Sequence, residues 1–282
     1  FGLPHSLAAF TVVIGLVSIA AGLLGALTGL GGGVIIIPAL AIGFGVNIRY
    51  AMGASLVSVI ATSSGSAASY VREGFSNIRI GIFLEVATTI GALCGAYLTG
   101  LVSPDLIAIA FGLVLLGSAY VSSRVTTDVV GSAPPDPLAT RFHLEGTYPT
   151  PTGDRPYAAH HVGTGFSLMF GAGALSGLLG IGSGAVKVLA MDRAMRLPFK
   201  VSTTTSNFMI GVTAAASAGV YLHRGYVNPA LTMPVMLGIL VGAHIGTRVL
   251  LAARVGALRR IFTGVIVLLG IEMLYKGFTH GF

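Results

Sequence analysis

Two glycine-rich breaks and one lysine are the residues in this chain best placed to do chemistry. Gly29-Leu30-Gly31-Gly32-Gly33 and Gly180-Ile181-Gly182-Ser183-Gly184 each close one long apolar stretch and open another. Glycine costs about 1 kcal/mol relative to alanine inside a helix, so these runs predict interrupted backbone. The helices that restart near Val34 and Ala185 then expose unpaired N–H groups and roughly half a positive charge at each N-terminus, which suits an anion. Glycine also permits close packing of membrane helices, and Gly22, Gly25, Gly29, Gly173 and Gly177 are read that way. Packing does not require consecutive glycines, so Gly31, Gly32, Gly33, Gly182, Ser183 and Gly184 are the candidate substrate-binding backbone.

Lys187 stands three residues after Gly184, in the first turn of the second restarted helix. A lysine deep in a bilayer costs about 2.5–3.5 kcal/mol on insertion scales, which calls for a partner or a substrate anion. Snorkelling to a nearby interface is the competing reading. Ser55, Ser206 and Asn207 offer hydroxyl and amide donors to an oxyanion, although helix capping and interhelical bonding explain each one alone equally well. Glu85 and His244 are the intramembrane groups able to carry a coupling proton, since burial and neighbours move the charge of either. No catalytic signature is present: there is no G-x-S-x-G, no H-E-x-x-H and no P-loop. His160-His161 has no cysteine or carboxylate at ligand spacing, so neither a metal nor a cofactor is expected.

The elements that must hold these groups follow from composition. Of 282 residues, 54% are hydrophobic and only 9% charged, against about 25% charged in soluble domains. The chain is therefore expected to be an all-α polytopic protein whose first partner is the lipid bilayer. Its net charge of +7 does not point to nucleic acid, because the basic residues lie between apolar runs, as the positive-inside rule places them. One cysteine, Cys94, excludes a disulfide framework. Apolar runs fall at 7–28, 34–46, 51–71, 80–102 and 105–123, then at 163–181, 185–191, 202–222, 229–251 and 256–275. Residues 7–27 exceed a signal peptide's apolar core and are read as the first span.

Subtracting positions exposes a repeat. Gly22 and Gly173, Gly29 and Gly180, Ser55 and Ser206, Tyr70 and Tyr221, Asn77 and Asn228, and Gly91-Ala92 and Gly242-Ala243 are all related by one constant offset. The expected units are residues 1–123 and 163–282, about five segments each, joined by a Pro-rich linker over 124–162 in which 143–157 forms either a hairpin turning at Thr152-Gly153-Asp154 or coil. Five crossings per unit make the second enter from the opposite face, an inverted-topology repeat. If all ten runs cross, one side keeps only Arg49, Lys187, Arg224 and Lys276, and the arginine-rich linker side is cytoplasmic. The brevity of 185–191 leaves open whether that run and 34–46 span the bilayer.

These residues resemble a known family. Gly29 to Gly33 followed by Pro38, Ala51 to Ser55, Tyr70, Gly74 and Gly91-Ala92-x-x-Gly95 look like the first half of the sulfite exporter TauE/SafE permeases. Gly180 to Gly184, Lys187, Pro198, Ser206-Asn207, Gly225, Gly242-Ala243-x-x-Gly246 and Leu258-Arg259-Arg260-x-Phe262 look like the second. Ser183 and Leu189, standing opposite Gly32 and Pro38, make the half-sites chemically unequal. The resemblance implies export of small sulfur-containing anions across a prokaryotic cytoplasmic membrane by a multi-pass permease, without a cofactor. An anion channel and a scaffold acting through the basic linker are the rival functions. The sulfur compound, the coupling ion and the oligomeric state are not specified by the sequence.

Overall fold

The computed structural model describes residues 7–28, 32–72, 76–123, 136–150, 153–182, 184–252, 255–279 and 281. Its helices follow the apolar runs to within a few residues. In the first half they are α1 (Leu7–Thr28), α2 (Gly33–Pro38), α3 (Ile48–Arg72), α4 (Ile78–Leu98) and α5 (Pro104–Ser123). The linker forms a short α6 (Pro137–Arg141) and two strands, β1 (Glu145–Thr150) and β2 (Gly153–Ala158). The second half contains α7 (Val162–Leu179), α8 (Gly184–Leu189), α9 (Phe199–His223), α10 (Pro229–Ala252) and α11 (Val255–Phe278). Ile78–Leu98, Val162–Leu179 and Pro229–Gly246 are long and apolar enough to cross a membrane by length and composition.

The constant offset reappears in three dimensions. Gly33 and Gly184, Ile48 and Phe199, Ile78 and Pro229, and Pro104 and Val255 are helix starts separated by the same interval. Both short helices run on into a π-helical turn, Ala39–Gly43 and Ala190–Ala194. Pro38 precedes the first turn and Leu189 the second, so proline does not cause this widening. The helix-to-helix packing is unchanged when the halves are exchanged: α1 lies on α10 as α7 lies on α4, α3 meets α9, and α5 meets α11.

Glycine makes the α1–α10 and α4–α7 contacts close. A Cβ at Gly22 would strike the Ile239 backbone, and one at its mate Gly173 would strike Thr88; Gly91 meets Phe170 and Ala174, and Gly242 meets Ile19 and Leu23. These contacts also give the directions. Gly91 and Gly95 step along α7 from Phe170 to Leu178, so α4 and α7 run parallel, while Gly238 and Gly242 step along α1 from Gly15 to Leu23, so α1 and α10 do too. At its start α3 touches Tyr226 just before α10, and at its start α4 touches Thr205 near the start of α9. Consequently α1, α3 and α10 point one way and α4, α7 and α9 the other. With α1 and α3 parallel, the passage between them must bring the chain back to the end from which α1 began. The eleven helical residues of that passage rise about 16 Å, half of a hydrocarbon core of about 30 Å.

The outer surface of the bundle is apolar. Ile82, Val86, Ile90 and Leu93 are exposed along α4, and Met233, Leu237, Val241 and Ile245 along α10. The linker forms the hairpin, pairing Thr150 with Gly153; of the expected turn Thr152-Gly153-Asp154, Thr152 lies outside the described residues, and Gly153 and Asp154 belong to β2. It is docked at both ends. Tyr157 accepts from Asn77 Nδ2 at 2.8 Å while Asn77 caps α4. Asp136 accepts from the Leu138 and Val162 N–H groups, each at 2.9 Å, and so caps both α6 and α7.

Candidate functional site

The second break is a true interruption: Gly180 and Gly182 have φ of +67° and +69°, a conformation L side chains rarely adopt. Helix α8 restarts at Gly184 and carries Lys187 inward. The side chain is fully buried, with 0% exposure, so it does not snorkel. Its Nζ donates to the Thr213 hydroxyl on α9. Thr213 lies 2.6 Å from Glu85 Oε1 on α4 and 3.0 Å from the Met209 carbonyl. One hydroxyl proton serves one acceptor at a time, and the shorter, charge-assisted contact to Glu85 is the stronger. Glu85 Oε1 also accepts from Thr89 at 3.2 Å. Glu85 is 8% exposed, and its Oε2 is buried with no partner among the described residues.

This arrangement is a buried cation and a buried carboxylate bridged by one hydroxyl. Removing one member of such a pair is strongly destabilising, because the other charge remains uncompensated. The repeat-related positions hold no such charge pair: Ile36 stands for Lys187 and Met236 for Glu85, while the hydroxyl of Thr62, the mate of Thr213, donates at 3.1 Å to the Ser58 and Val59 carbonyls. A nearly symmetric scaffold therefore holds one asymmetric polar centre.

Ser55 and Ser206 line the restarted helices but serve backbone carbonyls. Ser55 donates to Gly180 across the halves at 2.9 Å, and Ser206 donates to Gly184 at 3.2 Å. A Cβ at Gly33 would collide with the Ser55 hydroxyl. Gly32, Gly33, Gly182 and Gly184 are all buried around these contacts, and Asn207 is half-buried on α9. Gly31 and Ser183 lie outside the described residues. His244 is exposed on α10, beside Ile245 of the outward apolar stripe, and is not brought to Lys187. Thr213 is the member that sequence reasoning missed. Thr213 is related to Thr62 by the constant offset, but its link between Lys187 and Glu85 depends on how α4, α8 and α9 meet.

The sequence model of the family described as Sulfite exporter TauE/SafE matches residues 14–273. Among curated proteins, the chain is 26% identical to the probable membrane transporter protein YunE of Bacillus subtilis over 275 residues, 94% of this chain and 97% of the relative. It is 26% identical to the probable membrane transporter protein YdhB of the same organism, over 78% of this chain and 82% of the relative. A probable membrane transporter protein of Xylella fastidiosa is also 26% identical, over 93% of this chain and 92% of its own length. No solved structure matches the chain.

Proposed function

Because the chain belongs to the sulfite exporter TauE/SafE family, we propose that it is a secondary transporter moving small sulfur-containing anions, sulfite, organosulfonates or related organic acids, outward across a prokaryotic cytoplasmic membrane by alternating access. The observation that carries this reading is Lys187, buried at a helix break and held through Thr213 against Glu85. In this arrangement Glu85 is the anion that Lys187 faces. A substrate oxyanion that takes its place at Lys187 and Thr213 adds a negative charge to a buried site. Two anions then share one cation, unless Glu85 takes a proton on Oε2, the oxygen left without a partner.

One proton thus accompanies each anion, and a monoanion crosses without net charge, driven by its own outward gradient. The coupling proton is placed on Glu85 rather than His244. Other charged groups lie far along the packed elements. Arg79 is nearly two turns before Glu85 on α4, Lys200 and His223 stand at the ends of α9, and Asp192 and Arg193 contact each other at 3.6 Å in the π turn after α8. Helix α7 has no ionisable side chain.

The two halves, 1–123 and 163–282, act as inverted repeats around this centre, with 124–162 as their cytoplasmic link. Support comes from the antiparallel course of the equivalent helices α3 and α9 and from packing that survives exchange of the halves. The test uses purified protein in liposomes carrying an internal pH dye, with gradients of sulfite or methanesulfonate. Anion flux should carry protons in the same direction, show counterflow, and fall away in Lys187→Met and Glu85→Gln. Equal passage of chloride without counterflow would replace the carrier with a channel. Full anion flux at constant internal pH would remove the proton from the mechanism.

A further inference from the structure

At the end of α4 remote from the hairpin, two arginines from different halves flank one loop. Arg49, at the start of α3, donates from Nη2 to the Val102 carbonyl at 2.9 Å, and its guanidinium lies 5.6 Å from the Tyr226 ring centre. Arg224, at the end of α9, packs its Nη1 against Gly100 and its guanidinium 4.7 Å from the Tyr97 ring centre. Gly100 and Val102 are two residues apart, so their Cα atoms are separated by at most about 7 Å, and both guanidiniums rest on one short loop. Yet Arg49 Nε and Arg224 Nη1 are both buried without a hydrogen-bond partner, and neither arginine forms an ion pair among the described residues. Helices α3 and α9 and the loops at 99–103 and 224–228 contain no carboxylate, and the nearest acid in sequence, Asp105, has an interaction of its own.

Two like charges with orphaned donors are unfavourable unless something negative joins them. Their position is also connected to the break. Tyr226 packs 6.0 Å from Tyr221, whose hydroxyl donates to the Gly177 carbonyl at 3.0 Å and lies 3.9 Å from the Met52 sulfur. Met52 in turn closes over Gly180, the residue whose carbonyl Ser55 holds. We propose that Arg49 and Arg224 form a second oxyanion site at the outer mouth of the bundle, receiving a sulfonate-type anion, or the phosphate of a lipid headgroup, directly above the Gly180 break. Each guanidinium offers its free N–H to one oxygen, and the tyrosine rings form the walls. The site draws on both halves, so the anion sees it only when the two are assembled.

The test separates this site from the central one. In detergent at constant ionic strength, methanesulfonate is titrated against the Lys187→Met/Glu85→Gln protein and against the same protein carrying Arg49→Gln and Arg224→Gln. The first should keep a saturable rise in Tm and the second should lose it. As a check that does not rely on those backgrounds, each single arginine variant is reconstituted, and methanesulfonate is added from the arginine side. Its KM should rise about tenfold, as expected for one lost charge-assisted hydrogen bond, with Vmax unchanged. The KM measurement rests on the transport reading above, whereas the thermal one does not, so the two fail separately. If lipid is the occupant, the arginine variants instead lose the Tm rise given by phosphatidylglycerol over phosphatidylcholine. Retention of both Tm responses and of KM after removal of both arginines overturns the proposal.

Discussion

Thr213 contributes one oxygen and one proton, and both are committed, the oxygen to Lys187 and the proton to Glu85. Valine has the same shape and neither function. Thr213→Val should therefore lower stability by about 2 kcal/mol or more and stop most anion flux, because two buried charges each lose a bond. Thr213→Ser should recover both, as the hydroxyl is restored. Thermal melting and liposome flux on the three proteins check this, and a valine variant with normal flux would sink the bridging role. Lys187 and Glu85 were recognisable singly in the sequence as charges out of place in apolar runs. Their partnership was not, because they are far apart in the chain and their meeting depends on α4 running alongside α9. His244 is the converse case. It lies mid-helix in sequence but projects outward, and in a chain whose helices are apolar on every side the hydrophobic period no longer tells inside from outside.

Among the elements, the glycine contacts of α4 with α7 allow a paired experiment. A Cβ at Gly173 would meet the Thr88 backbone, whereas one at Gly171, two residues earlier, meets nothing within 4 Å. Gly173→Ala should cost about 1–3 kcal/mol through forced separation of the helices, and Gly171→Ala should be neutral or slightly stabilising through helix propensity. Similar melting temperatures for the two would show that the helices are not held this closely. The linker offers a second measurement. The N–H groups of Leu138 and then Val162 hold the Asp136 carboxyl below its ordinary pKa of 3.8. A lowered pKa means that the clamp is fully present above that ordinary value and is lost as pH falls through the lower folded one. Pepsin should therefore cut the linker faster as pH drops below about 4, and Asp136→Asn should flatten that dependence. A pH profile unchanged by Asp136→Asn would exclude the clamp. Helix boundaries were legible because apolar runs and a constant offset locate them twice over, whereas the start of β2 at Gly153 depended on strand register that local residue types did not fix.

For the whole molecule, the directions of the helices put Tyr50 and the hairpin at opposite ends. In a Cys94→Ala background, a membrane-impermeant maleimide applied to intact cells should label Tyr50→Cys and should reach Asp154→Cys only after permeabilisation. Labelling of both from one side would overturn the inverted arrangement. The repeat itself was readable from the sequence, but the partner of each helix was not, since subtraction relates α1 to α7 while packing joins α1 to α10 and α4 to α7. That crosswise pairing also constrains how the molecule is made. During synthesis α1 and α4 enter the bilayer with their glycine tracks uncovered, and the helices that fit them are still unmade. The first half is therefore not a closed unit by itself, because α4 and α1 find their packing partners only in α7 and then α10.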